Sequence, residues 1–182
     1  MLPILLALAF IAIILIVVIL GQSNEFSVAR QIRINAPAEQ VFPHVNELHN
    51  WEAWNPWAPL DPNCKMTYDG PPSGVGASYS WAGNNKIGAG RNTIAESKPN
   101  ELVGLRLDFV KPMAATNTAE FAFKSSASGT VVTWSMSGKR NFPGKLFGLF
   151  LNCDKMIGCQ FEKGLAKMKS VVEAKPAAVA AR

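Results

Sequence analysis

Pro143–Glu173 reads PGKLFGLFLNCDKMIGCQFEKGLAKMKSVVE. Apolar residues recur at Leu146, Leu149/Phe150, Cys153, Met156/Ile157, Phe161, Leu165, Met168 and Val172. Steps of three and four predict a single amphipathic helix over this stretch. Lys145, Asp154, Lys155, Glu162, Lys163, Lys167 and Lys169 supply its wet side. Pro143 suits the first turn, where its missing N–H would have had no partner. At 1.5 Å per residue such a helix would run roughly 45 Å. An apolar face of that length needs a broad partner surface.

The preceding sequence supplies one. Phe26–Asn35 alternates, with Phe26, Val28, Ile32 and Ile34 on one side and Ser27, Gln31 and Arg33 on the other. That is the pattern of a half-buried strand. Further strands are expected at Lys65–Asp69, Ala77–Ala82, Gly88–Ser97, Glu101–Phe109, Thr118–Lys124 and Gly129–Lys139. Turn compositions at Gly70–Gly74 and Gly83–Asn85 separate the early ones. About seven strands joined by short turns make an antiparallel sheet. Between the first strand and the rest, Ala36–Leu48 predicts short helical pieces broken by Pro43. Trp51, Trp54 and Trp57 then crowd a Pro-rich loop, which we expect to close a rim or lid over an apolar interior.

At the other end, Leu2–Leu20 is LPILLALAFIAIILIVVIL, without a charge. Its length suffices to cross a bilayer core of about 30 Å. A cleaved signal peptide would want a basic start, a shorter apolar run and a small-residue cleavage site. Only Met1 precedes the run, and Gly21-Gln22-Ser23 is a poor site. We therefore expect an uncleaved transmembrane helix over 1–21, a linker over 22–25, a folded domain over 26–174 and a disordered tail over 175–182. Arg30 and Arg33 follow the span and no Lys or Arg precedes it, which leans towards a cytoplasmic domain. The unpaired cysteines lean the same way.

Net charge is +5. No nucleic-acid motif accompanies it, so nucleic acid is not expected as a partner. Cys64, Cys153 and Cys159 are odd in number and lack CxxC spacing, which signals neither a disulfide framework nor a zinc site. His44 and His49 are five apart, without a companion cluster of ligands, so no metal is expected; a histidine base stays open. Asp154 has two readings: an acid/base or ligand anchor pointing inward, or part of a solvated face with i,i+4 pairing. Asp108, Arg106 and Arg91 are further candidates, and spacing singles out none, so catalytic residues stay unknown. Gly74/Gly76 and Gly88/Gly90 lie between strands, where turns and bulges explain them better than phosphate binding. Gly148, Gly158 and Gly164 fall inside the predicted helix at about 1 kcal/mol each relative to Ala. They point to close sheet contact, a kink or room for a ligand.

Several motifs together carry a resemblance. They are Ile34-x-Ala36-Pro37-x-x-x-Val41-Phe42, Trp51-x-x-Trp54-x-Pro56-Trp57, Gly74-Val75-Gly76-Ala77-x-Tyr79-x-Trp81-x-Gly83-Asn84 and Gly88-x-Gly90. Thr130-x-Val132-x-Trp134-x-Met136-x-Gly138 and Asp154-Lys155-Met156-Ile157-Gly158-x-x-Phe161-x-x-Gly164-Leu165 complete the set. Over roughly Phe26–Glu173 the chain resembles the SRPBCC superfamily, the START/Bet v 1-like group of polyketide cyclase/dehydrase type. It looks closest to a bacterial membrane-anchored branch, which implies a single-pass protein of the bacterial inner membrane. The resemblance implies an α+β helix-grip fold, in which a curved antiparallel sheet of six to seven strands holds a long C-terminal helix. It also implies a cavity between sheet and helix for an apolar molecule such as a lipid, quinone or polyketide. The lining residues expected are Trp51, Trp54, Trp57, Tyr79, Trp81, Phe109, Phe121, Phe123, Trp134, Phe150, Met156 and Phe161. No cofactor is expected. The partners expected are the lipid bilayer, a hydrophobic small molecule and a larger membrane protein complex. A binding module, an accessory subunit and a cyclase/dehydratase-like enzyme all remain compatible with that fold.

Overall fold

The computed structural model describes residues 1–140, 142, 144–146 and 153–174. Helix α1 spans Leu2–Gly21, apolar on every side, with Pro near its start and no acidic or basic residue in its end turns. A helix greasy all round belongs in a protein core or in lipid. Here nearly all its large side chains are exposed, Ile4, Phe10 and Leu20 among them, while Ile19 is buried. It is the single helix among the described residues with the length and composition to cross a membrane.

Seven strands follow, β1 Glu25–Ile34, β2 Lys65–Asp69, β3 Ser78–Ala82, β4 Ala89–Lys98, β5 Leu102–Lys111, β6 Ala115–Ser126 and β7 Gly129–Lys139. They form one antiparallel sheet in the order β1-β7-β6-β5-β4-β3-β2. Five of the six adjacencies join strands that are neighbours in sequence. The exception is β1 against β7, where Glu25 faces Lys139 and Ile34 faces Thr130. Between β1 and β2 run two single turns of helix, α2 Ala38–Val41 and α3 Pro43–Asn46, then 3-10 turns at Leu48–Ala53 and Ala58–Leu60. Pro37 is the N-cap of α2, and Pro43 is the first residue of α3, where a ring-fixed φ and a missing N–H are tolerated.

The C-terminal helix α4 spans Cys153–Glu173. Gly144, Lys145 and Leu146 are also helical, while 147–152 and 175–182 lie outside the described residues, as do the expected continuity of the long helix and the tail. Phe161, Leu165 and Met168 are buried, and Ile157 and Val172 pack partly against the same core. This face lies chiefly along β1, with further contact to β7 and the first 3-10 turn. Asp154 and Glu162 bond Arg30, Lys169 bonds the Arg33 carbonyl and Glu173 accepts from the Asn35 N–H, so α4 runs in the direction of β1. A seven-stranded antiparallel sheet holding one C-terminal helix on its inner face is the helix-grip architecture.

Candidate functional site: the aromatic interior

Alternation puts one set of side chains from every strand on the inner face. Three lateral rows are informative. The central row is Arg30–Trp134–Phe121–Val103. Phe121 stacks on Trp134 at 4.8 Å between centroids, and Trp134 stacks on Phe161 of α4 at 4.0 Å and 11°. The Trp-rich segment closes on this stack edge-on. Trp51 meets Phe121 at 5.6 Å, Trp54 meets Trp134 at 5.7 Å and Trp57 meets Trp134 at 5.6 Å. Trp51 and Trp54 are 3% and 1% exposed. Their Nε1 groups donate to the carbonyls of Val45 and His44. This segment is therefore a plug in the core and not the lid expected from its composition. Its indoles reach backbone acceptors that α3 supplies, which lets them go fully inside.

The second row, about 13 Å along the strands towards the start of β1, is Tyr79–Asn92–Leu107–Asn117–Gly138–Phe26. It is more polar. Asn92 is 2% exposed and Asn117 8%. Asn92 Nδ2 donates to the Tyr79 hydroxyl at 3.4 Å, and Asn92 Oδ1 has no partner within the protein. Burial pushes the Tyr79 hydroxyl up to about 12. The buried Nε1 of Trp134 is likewise unpaired. The third row is Trp81–Gly90–Phe109. A Cβ on Gly90 would run into the Trp81 ring at 2.6 Å. Glycine there lets Trp81 lie across the strand to meet Phe109 at 5.6 Å, edge to face.

Of the twelve expected lining residues, Trp51, Trp54, Trp57, Trp134, Phe121 and Phe161 thus form one cluster. Tyr79, Trp81 and Phe109 form a second, linked through the Trp51–Tyr79 contact at 6.0 Å. Phe123 is buried against Phe42 of the α2–α3 piece. Met156 points away from the rings, 55% exposed. Phe150 lies outside the described residues. Spacing alone missed Asn92 and Asn117. Their signal was a polar residue at an inward position of an otherwise apolar alternation.

Two clefts open elsewhere. One, of about 350 Å³, lies between Asn35–Glu39 and Ser125–Gly129; the other, of about 110 Å³, lies between His49, Tyr68 and Pro71. None of the eleven described lining candidates lines either.

The charged candidates are engaged outside the ring clusters. Arg30 occupies an inward position of β1, yet its guanidinium forks to Asp154 at 3.0 Å and Glu162 at 2.7 Å. It holds the Asp154 carboxyl below the usual carboxylate range, chiefly through that hydrogen bond. Of the two sequence readings of Asp154, the solvated face is the one found, with the side chain 60% exposed, but its pairing crosses to Arg30 of β1 instead of following the helix. Gly158 lies between the two acids on the same helix face, and a Cβ there would meet the guanidinium. Gly164 similarly admits Trp134 and Pro56. Close sheet contact is thus what both helix glycines serve; Gly148 lies outside the described residues. Arg91 bonds Asp69 and Ser78, and Arg106 bonds Asp108, whose carboxyl is held low first by Thr116 and then by Arg106. His49 stacks on Tyr68 at 3.8 Å. Burial pushes His44 down, and its Nδ1 is unpaired. No group of three or more His, Cys, Asp or Glu that could hold a metal occurs among the described residues.

This geometry has counterparts among solved structures. The protein MLL2253 from Mesorhizobium loti superposes with a TM-score of 0.61 at 15% identity, covering 83% of this chain and 99% of that one. The Aha1 dimer from Colwellia psychrerythraea gives 0.57 at 18%, with 82% and 97% covered. The di-domain ARO/CYC protein BexL, of the BE-7585A biosynthetic pathway, gives 0.60 at 13%; the match covers 88% of this chain and 54% of BexL. At these identities the likeness is one of fold. A search of curated protein sequences found no match. The profile of one family, described as "Polyketide cyclase / dehydrase and lipid transport", matches residues 25–173, the whole sheet and the C-terminal helix. With an SRPBCC-type helix-grip domain in the structure and that profile over most of its length, the chain belongs to the polyketide cyclase/dehydrase and lipid transport family.

Proposed function

We propose that this chain is a membrane-anchored module that holds a hydrophobic small molecule, of lipid, quinone or polyketide type, against the inner face of its sheet. The family description and the aromatic interior support the apolar class of ligand. The observation that carries the reading is two buried polar groups without partners in that interior, one in the central row and one in the second. A buried polar group without a partner costs about 1–3 kcal/mol. Asn92 Oδ1 and Trp134 Nε1 are two such groups among rings. A ligand hydroxyl would donate to Asn92 Oδ1, and a ligand carbonyl or hydroxyl oxygen would accept from Trp134 Nε1. The groups offered are an amide, an indole and a phenol, which exchange hydrogen bonds without titrating near neutrality. They suit binding better than proton transfer, so the cyclase-like alternative is the weaker one.

The test is mass spectrometry of small molecules extracted from full-length protein purified in mild detergent. We expect an apolar molecule above background, and its loss in Asn92→Leu with the melting temperature unchanged or raised. Recovery of nothing from the parent protein would overturn the reading. The accessory-subunit alternative draws on the self-filled ring cluster around Trp134. It requires the same purification to bring down stoichiometric protein partners and no small molecule.

A further inference from the structure

The strand register places several exposed groups at one end of the sheet. Phe109 faces Ala115, so Val110–Ala114 is the tip of the β5–β6 hairpin. Asn117 faces Gly138, Gly138 faces Phe26 and Glu25 faces Lys139. That tip, the end of β7 and the start of β1 therefore share the end of the sheet from which α1 leaves. Val110 is 65% exposed and Met113 41%. Lys111 is exposed between them and Lys139 is exposed beside β1. Gly88 lets the β3–β4 turn, with exposed Lys86, abut the Lys111 carbonyl. Arg140 donates its backbone N–H to Asn24, tying this edge to the connector. Against these cations the same end sets Glu25 and Asp61.

Apolar tips ringed by Lys and Arg suit the boundary between acyl chains and anionic headgroups. The connector enforces proximity. Only Gln22–Asn24 separate α1 from β1, so the four Cα steps from Gly21 to Glu25 reach at most ~14 Å. We propose that this edge beds on the bilayer that α1 spans, with Val110 and Met113 in the headgroup layer and Lys86, Lys111, Lys139 and Arg140 on anionic lipid phosphates. The proposal rests on reading α1 as a membrane span. It also turns the Asn92 row towards the bilayer, since that row ends at Phe26, next to Glu25. An apolar ligand would then reach the interior from lipid without crossing bulk water.

Methionine oxidation tests this on the full-length chain. Purified protein is placed in nanodiscs of phosphatidylcholine alone or with phosphatidylglycerol, and treated with dilute peroxide. Oxidation at Met113 and at Met156, the exposed methionine on α4, is read by mass spectrometry. Docking predicts that Met113 slows several-fold relative to Met156 in anionic discs, and that Lys111→Glu with Lys139→Glu restores it. Equal oxidation of Met113 and Met156 in a chain that resists carbonate extraction from membranes would overturn the docking alone. Extraction of the chain by carbonate would overturn the anchor reading and the docking with it.

Discussion

Arg30 and Gly158 are one device seen from two elements. The guanidinium lies in the groove that the missing Cβ leaves, and the two carboxylates a turn either side hold it. In an exposed helix, Gly→Ala gains about 1 kcal/mol from propensity. Here the added methyl must displace the guanidinium from both acids. We therefore expect Gly158→Ala to give that gain in an Arg30→Ala background and little or none in the parent chain. Thermal unfolding of the four proteins of that cycle in one detergent measures the coupling. Arg30 also explains a gap in the sequence reading. It falls on the inward, apolar side of its strand, where a charge needs a partner. That position, and Asp154, Gly158 and Glu162 at steps of four, were legible; which acids the arginine takes depends on α4 docking against β1, and spacing carries no such information. Asn92 and Asn117 were hidden for a related reason. Asn92 follows an inward Gly90 in an irregular strand, and Asn117 falls one residue before the strand expected at Thr118–Lys124, so neither reads as an inward polar position until neighbouring strands align the two in one row.

At the scale of elements, the alternation of β1, β5, β6 and β7 was enough to place those strands, because a half-buried strand of an antiparallel sheet writes its two faces directly into the chain. The Trp-rich segment was misread because composition reports aromatic area but not where backbone acceptors for the indole N–H groups lie. Two short turns of α2 and α3 put the His44 and Val45 carbonyls within reach, and the segment goes inward. The clamp between α4 and β1 has a definite pH dependence. The Arg30 hydrogen bond lowers Asp154 from 3.8, and the Lys169 hydrogen bond, with the Asn35 N–H, lowers Glu173 from 4.5. Both acids bind protons less tightly folded than unfolded. Their contribution is thus complete above those unfolded values and fades as pH drops through the lower folded ones. The difference in melting temperature between the parent and Arg30→Gln should be constant near neutrality and shrink below about pH 4. A difference that grows on acidification would contradict the assignment of the Arg30–Asp154 pair.

For the molecule as a whole, the sheet order decides how the domain closes. Strands β2 to β7 pair with their neighbours in sequence, whereas β1 finds its sole strand partner in β7. A chain truncated after Ser126 keeps the five paired strands β2 to β6 but leaves β1 without a ladder and α4 absent. We expect such a chain to be cut by protease within residues 25–34, while the full-length chain is protected there; limited proteolysis with mass mapping reads the difference. The same adjacency bears on synthesis at the ribosome. At roughly 5–20 residues per second, the first strand emerges on the order of ten seconds before the strand that completes it. If α1 has by then entered a membrane, that strand waits beside the lipid with bare amides and carbonyls. Its outward charges, Glu25 and Arg33, would then guard nascent chains against pairing with one another during the delay.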